Sequence, residues 1–316
     1  MCYSSIVNSS EQMKQSNRLE WLDIAKGIAI ILMVIGHSSI PQIGSNFIFA
    51  FHMPLFFIAS GWVSNYQKSS FKRFIEKKWS SLLIPFFYYS GIVMVLMQCI
   101  GILDVGHLFM HGWGGYALWF IPVLFIASAV VRAAFCFPDV WHRRAFMLGL
   151  FFLGSFLSYH RISLPWQLSN VPYASFLVMI GNELAKCNKR LEATTRYWDI
   201  LLLALCTLTI SYFWRLDMAF NLITPVIPLT IGALMGTWMI FRLSIWLERK
   251  VSWCASLLQR VGKETYIVVA FSQIVIMFIN HYVSIHPVIK YFILLVTLVL
   301  IKKAKDGIVR IYHKMK

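Results

Sequence analysis

Charge is what this sequence has least of. Asp, Glu, Lys and Arg make up 13% of the 316 residues, and the acids are the rarer sign, 13 against 29 Lys and Arg. Soluble domains carry roughly a quarter charged residues, so one of that kind is excluded. The six cysteines (Cys2, Cys99, Cys136, Cys187, Cys206 and Cys254) are scattered, mostly in apolar segments, and form no CxxC pair. A disulfide framework and a metal centre are therefore not expected, and the cysteines read as reduced packing residues. Internal repeats, low-complexity tracts and a polar stretch long enough for a separate soluble domain are missing too.

Apolar residues fill the space. Hydrophobic side chains are 59% of the chain, aromatics 16%, and the mean hydropathy is +0.67, which describes an integral membrane protein. A net charge of +16 in a soluble protein would suggest nucleic acid, so the position of the cations decides its meaning. About twenty apolar residues cross the hydrocarbon, fewer inside a bundle. That ruler divides the chain into ten candidate spans, near 21–40, 46–66, 80–103, 116–137, 145–160, 171–186, 198–214, 222–241, 264–284 and 288–301. Only Arg161, Arg215 and Lys290 then fall in loops on one side and Lys26 and Arg132 inside spans, while the rest of the 29 cations share the opposite side. By the positive-inside rule both termini are cytoplasmic, and the cations face lipid headgroups rather than nucleic acid.

The sequence thus predicts an all-α, polytopic protein of the inner (plasma) membrane, one transmembrane domain over 1–316. It has a polar cytoplasmic N-terminus (1–20), no cleaved signal, and a basic cytoplasmic tail (302–316). The external connection 104–115, with His107, His111 and three glycines after Met110, is expected to be a flexible loop over a site mouth. The mixed apolar and basic stretch 243–260 is expected to be an interfacial amphipathic helix.

Ionisable residues inside apolar segments are costly and mark functional sites by default. Lys26 and His37 are eleven residues apart in the first segment, on one helix face and about 16 Å apart along the axis. His52 opens the second segment's apolar run, Phe51-His52-Met53-Pro54-Leu55-Phe56-Phe57-Ile58-Ala59-Ser60-Gly61. Counting from the cytoplasmic ends, both imidazoles lie about 21–22 Å deep, in the outer half of the membrane. Packing alone would explain either histidine by itself as an interhelical polar contact; the matched pair argues for a site.

Lys26-Gly27 with His37 ten intervening residues on, followed by His-Met-Pro-Leu-Phe-Phe and Ser-Gly, resembles the acyltransferase 3 family of polytopic membrane acyltransferases. The short members that O-acetylate sugars of surface polysaccharides are the nearest likeness. Weaker echoes recur at Leu118-Trp119-Phe120-Ile121-Pro122 and Gly262-Lys263-Glu264-Thr265-Tyr266. The resemblance implies acetyl-CoA, or another acyl-CoA, as co-substrate with no permanently bound cofactor, and a carbohydrate hydroxyl as acceptor. An imidazole titrating near neutrality suits that transfer. His37 is the candidate general base, with transient acylation of His37 left open, and His52 its orienter or the polariser of the thioester carbonyl.

Lys26, Ser60, Gly61 and Arg132 are candidates for the acyl-CoA arm and its phosphates, with snorkelling Lys26 and helix packing at Ser60-Gly61 as the plainer alternatives. Glu183 would pair with Lys26 or Arg132. Trp119, Tyr116 and Trp113 read either as an interfacial aromatic belt or, with His160 and Arg161, as a sugar-stacking platform. Two positions depart from the family pattern: Lys26 stands where Arg is usual, a point charge replacing a bidentate fork, and Ser272, followed by Gln273, stands where a His is usual. A transporter or flippase using buried His and Lys as a proton relay, and an inactive scaffold, remain as other readings of the same residues.

Overall fold

The computed structural model describes residues 19–37, 40–112, 116–186, 196–282 and 287–315. Among them the chain is helical, with no strand beyond a single bridge between Asp217 and Leu222. Helix α1 (Glu20–Gly36) leads to α2 (Gln42–Phe49) and α3 (His52–Val63). Then α4 (Phe71–Lys78) runs through a π turn (Trp79–Leu83) into α5 (Ile84–Ile100), followed by the short α6 (Val105–His111) and a 3-10 turn (Tyr116–Trp119) opening α7 (Phe120–Ala134). Helices α8 (Val140–Tyr159), α9 (Val171–Ala185), α10 (Tyr197–Phe213) and α11 (Val226–Lys250) come next. Last are α12 (Ser252–Lys263), α13 (Thr265–Tyr282) and α14 (Pro287–Met315).

Each apolar segment read from the sequence falls on a helix or a pair of them. Among the described residues, four helical stretches are long and apolar enough to cross a membrane, Gln42–Val63, Phe71–Ile100, Ala117–Ala134 and Val226–Lys250; α12 with α13, bent by 78°, makes a fifth if the pair is one span. Apolar side chains also face outward: Leu201, Leu202 and Leu205 of α10 are 55%, 62% and 61% exposed, a surface suited to lipid and not to water. Of the cysteines, Cys99 and Cys136 are free and exposed, so these two do not pack in the interior as expected.

Two prolines explain the irregular helices. Pro54, in the first turn of α3, has no N–H for the carbonyl of Ala50 and its ring crowds that carbonyl, and the helix breaks at Ala50 and Phe51. Pro85 does the same to Ser81, where the ladder widens into the π turn. The stretch 104–112 also differs from expectation. The Asp104 side chain accepts the His107 N–H at 3.0 Å, an N-cap that turns the expected loop into α6, which ends at Gly112 with φ 93°. The stretch 243–260 divides, its first part continuing α11 to Lys250 and its second forming α12 after a break at Val251.

Glycines set the tightest crossings. A Cβ on Gly61 would strike the Val178 carbonyl, and one on Gly181 would strike that of Ile58, so α3 and α9 touch backbone to backbone. Gly27 and Gly262 lock α1 to α12 in the same way, against Leu258 and Asp23. At one end Trp21, Trp62 and Phe241 pack edge to face, with ring centroids 5.1–5.5 Å apart, tying α1, α3 and α11 together.

Candidate active site

The break at Ala50 and Phe51 is what brings the two imidazoles together. It makes His52 the first residue of α3, while His37 ends α1, its N–H on the Met33 carbonyl at 3.1 Å. Their rings stand 6.3 Å apart and nearly perpendicular, and Phe49 touches both, at 5.1 Å and 4.9 Å. His52 is 2% exposed and its Nδ1 bonds the Ile48 carbonyl at 3.0 Å, whereas His37 is exposed.

Both line a cavity of about 240 Å³, which Trp119, Gln273 and Asp217 also wall. Helix α6 adds His107 and His111 to the same wall, their rings 4.3 Å apart. His111 Nδ1 accepts from Gln167 Nε2, which donates as well to the Ala219 carbonyl at 2.7 Å. Burial, and then His107 beside it, pull the His111 pKa below its ordinary value. Burial pushes the Asp217 carboxyl up, a shift opposed by Arg215, whose Nη2 donates to Asp217 Oδ2 at 2.8 Å. The Arg215 guanidinium lies 4.9 Å from the Phe49 ring.

A second cavity, of about 280 Å³, uses the neighbouring turns of the same helices. Helix α3 gives Met53 to the first and Phe56 to the second, α7 with its opening turn gives Trp119 and Phe120, and α13 gives Gln273 and Val269. The buried rings of Phe56 and Phe120, 5.7 Å apart, face the second cavity just beyond Met53 and Trp119. Lys26, Asp23, Ser60 and Lys263 line this second space, with Lys26 Nζ 3.4 Å from Asp23 Oδ1. Lys78 reaches its edge, donating to Ser60 Oγ at 3.3 Å and Ser64 Oγ at 3.1 Å.

The remaining residues singled out from the sequence lie elsewhere. Gly61 is spent on the crossing with α9. Arg132 donates to the Ser69 carbonyl at 2.8 Å and covers Phe71, outside both cavities. Glu183 pairs with Lys186 at 2.7 Å, within one turn of its own helix, and not with Lys26 or Arg132. His160 is exposed at the end of α8, its ring tilted against Phe156 at 4.4 Å, and it lines neither cavity. Tyr116 starts the 3-10 turn that delivers Trp119, and Trp113 lies outside the described residues. Ser272, the departure from the family pattern, is fully buried, and its neighbour Gln273 is the one that reaches the first cavity, beside the histidines. Lys78, Gln273 and Asp217 were not singled out from sequence; Lys78 closes the Lys77-Lys78 run before an apolar stretch, which reads as a headgroup cation.

Outward-facing apolar helices around two cavities that carry imidazoles and ammoniums define the class, an all-helical membrane protein. The acyltransferase-domain model matches residues 19–302, and the chain belongs to that family, acyltransferase 3. Neither the curated proteins nor the solved structures contain a match to it.

Proposed function

We propose that the protein moves an acetyl group from cytoplasmic acetyl-CoA to a hydroxyl of a cell-surface glycan or its lipid-linked precursor. It does so from the inner membrane, across ten spans with both termini in the cytoplasm, and an imidazole of the His37–His52 pair serves as general base. The observation that carries this reading is the stacking of two cavities on shared helices. Ammoniums gather in one, where an anionic donor enters from the cation-rich side, and imidazoles gather in the other. Lys26 and His37 are about 16 Å apart along α1, so a donor whose phosphates rest near Lys26, Lys78 and Lys263 needs a long flexible arm to present its thioester to the histidines. Coenzyme A has that build, with its charge at one end and its sulfur at the other.

The test is acetyl transfer by the purified full chain in detergent, with surface polysaccharide freed of ester acetyl by mild base as acceptor. Release of free thiol coupled to ester formation is expected from the wild type. His37→Ala should lower it by at least about 100-fold with an unchanged melting profile. A His37→Ala protein as active as wild type would remove that residue from the chemistry, and a transporter would consume no acetyl-CoA at all.

A further inference from the structure

The two imidazoles are not equivalent, and one hydrogen bond separates them. A carbonyl oxygen only accepts, so the His52 Nδ1 that bonds Ile48 O carries the proton, and Nε2 on the far edge of the ring holds the lone pair. The helix break makes this bond available. Without it the Ile48 carbonyl would take the main-chain N–H of His52, four residues on; in the broken geometry it takes Phe51 N–H at 3.3 Å and the imidazole at 3.0 Å instead. The ring is buried, clamped by Phe49 and open to the first cavity, and Nε2 has no partner among the described residues. This is how proteins hold a histidine as a base: one nitrogen tied to a fixed acceptor, the other turned to the reactants.

His37 lacks such a tie. Among the described residues its ring makes no hydrogen bond and meets Phe49 and His52 edge on, with the charge of Arg215 nearby, and in either tautomer a neutral imidazole presents one N–H.

Resting on the acyl-transfer reading above, we infer that His52 is the general base and that His37 donates its N–H to the thioester oxygen, the reverse of the roles the sequence alone suggests. The acceptor hydroxyl gives its proton to His52 Nε2 as its oxygen bonds the acyl carbon. The carbonyl electron pair moves onto the carbonyl oxygen, where the His37 N–H holds it. The pair then returns, the C–S bond breaks, and the departing thiolate takes the proton from His52. An ester and a free thiol result, and both rings return to their starting state.

The roles separate with two acceptors. Hydroxylamine attacks a thioester without first losing a proton, so it bypasses a base but not an oxyanion donor. In the purified full chain with acetyl-CoA, His52→Asn keeps an amide N–H able to reach Ile48 O. It should lose transfer to deacetylated polysaccharide by about 100-fold or more, while hydroxamate formation falls less than about ten-fold. His37→Ala should lose both reactions together, and His37→Gln, which restores an N–H, should recover part of both. Should His52→Asn prove unstable on heating, the contrast between His37→Gln and His37→Ala still decides the donor role.

Equal loss of both reactions in His52→Asn, or no gain from His37→Gln over His37→Ala, overturns the assignment. A wild type that forms neither ester nor hydroxamate overturns acyl transfer itself, a result distinct from any pattern among the variants.

Discussion

At the scale of single residues, the nearness of the two histidines was legible and the hydrogen bond that distinguishes them was not. Position along the sequence gives depth, and depth pairs His37 with His52. The bond from His52 to Ile48 O exists only because Pro54 breaks a helix that hydropathy reads as continuous. Lys78 escaped notice for a related reason, since only the fold shows that it turns inward to Ser60 and Ser64. If the second cavity, lined by Lys26 and Lys263, holds the donor's phosphates, Lys78→Ala removes one charge-assisted contact, of about 1.5–3 kcal/mol. The KM for acetyl-CoA should then rise roughly ten-fold or more with a smaller change in kcat, and Lys78→Arg should recover most of it, as steady-state kinetics would show. His111, at the end of the short α6, gives a test in pH. Its folded pKa lies below the unfolded value of about 6.5. The unfolded chain therefore binds the proton more readily, and this stabilisation is present above about pH 6.5 and lost as pH falls through the lower folded value. Protonation also takes from Nδ1 the lone pair that Gln167 uses. The melting temperature of the wild type should rise between pH 5 and 7, and His111→Asn should flatten that rise.

Among elements, every apolar stretch became a helix, because twenty apolar residues in lipid have few other ways to satisfy their backbone. What the sequence obscured was where helices begin, bend and touch. The Asp104 cap made a helix of a stretch that its glycines had marked as a loop, and 243–260, which looked like one surface helix, divides at Val251. Gly61 looked equally suited to a ligand or a neighbour; only the position of Val178 settles that it meets a neighbour. The crossing makes a direct comparison. Gly181→Ala forces a methyl into the Ile58 carbonyl, and overpacking of this kind costs about 1–3 kcal/mol. Gly91→Ala in α5 meets nothing within 4 Å and should stabilise the helix by about 0.5–1 kcal/mol. Melting in detergent, followed by tryptophan fluorescence, should move down for the first and slightly up for the second.

Over the whole molecule, the class was written in composition and the family in one short pattern near the start of the chain, and the match over residues 19–302 agrees with both. The placement of the cavities was not written there. A larger apolar groove, about 1010 Å³ between α5, α13 and α14, holds none of the imidazoles, while the two smaller spaces carry the histidines and Lys26. Nothing in a hydropathy profile ranks these three, because each is made by residues far apart in sequence. The pair of phenyl rings at Phe56 and Phe120, just beyond the first cavity, has a last consequence. Titratable groups reached from opposite faces of an energised membrane would, if joined by a continuous file of water, carry protons down their gradient and drain the voltage that the cell maintains. Hydrocarbon side chains act as an electrical insulator, so phenyl rings on the wall of the second cavity, where α3 and α7 run on to the first, would interrupt such a file.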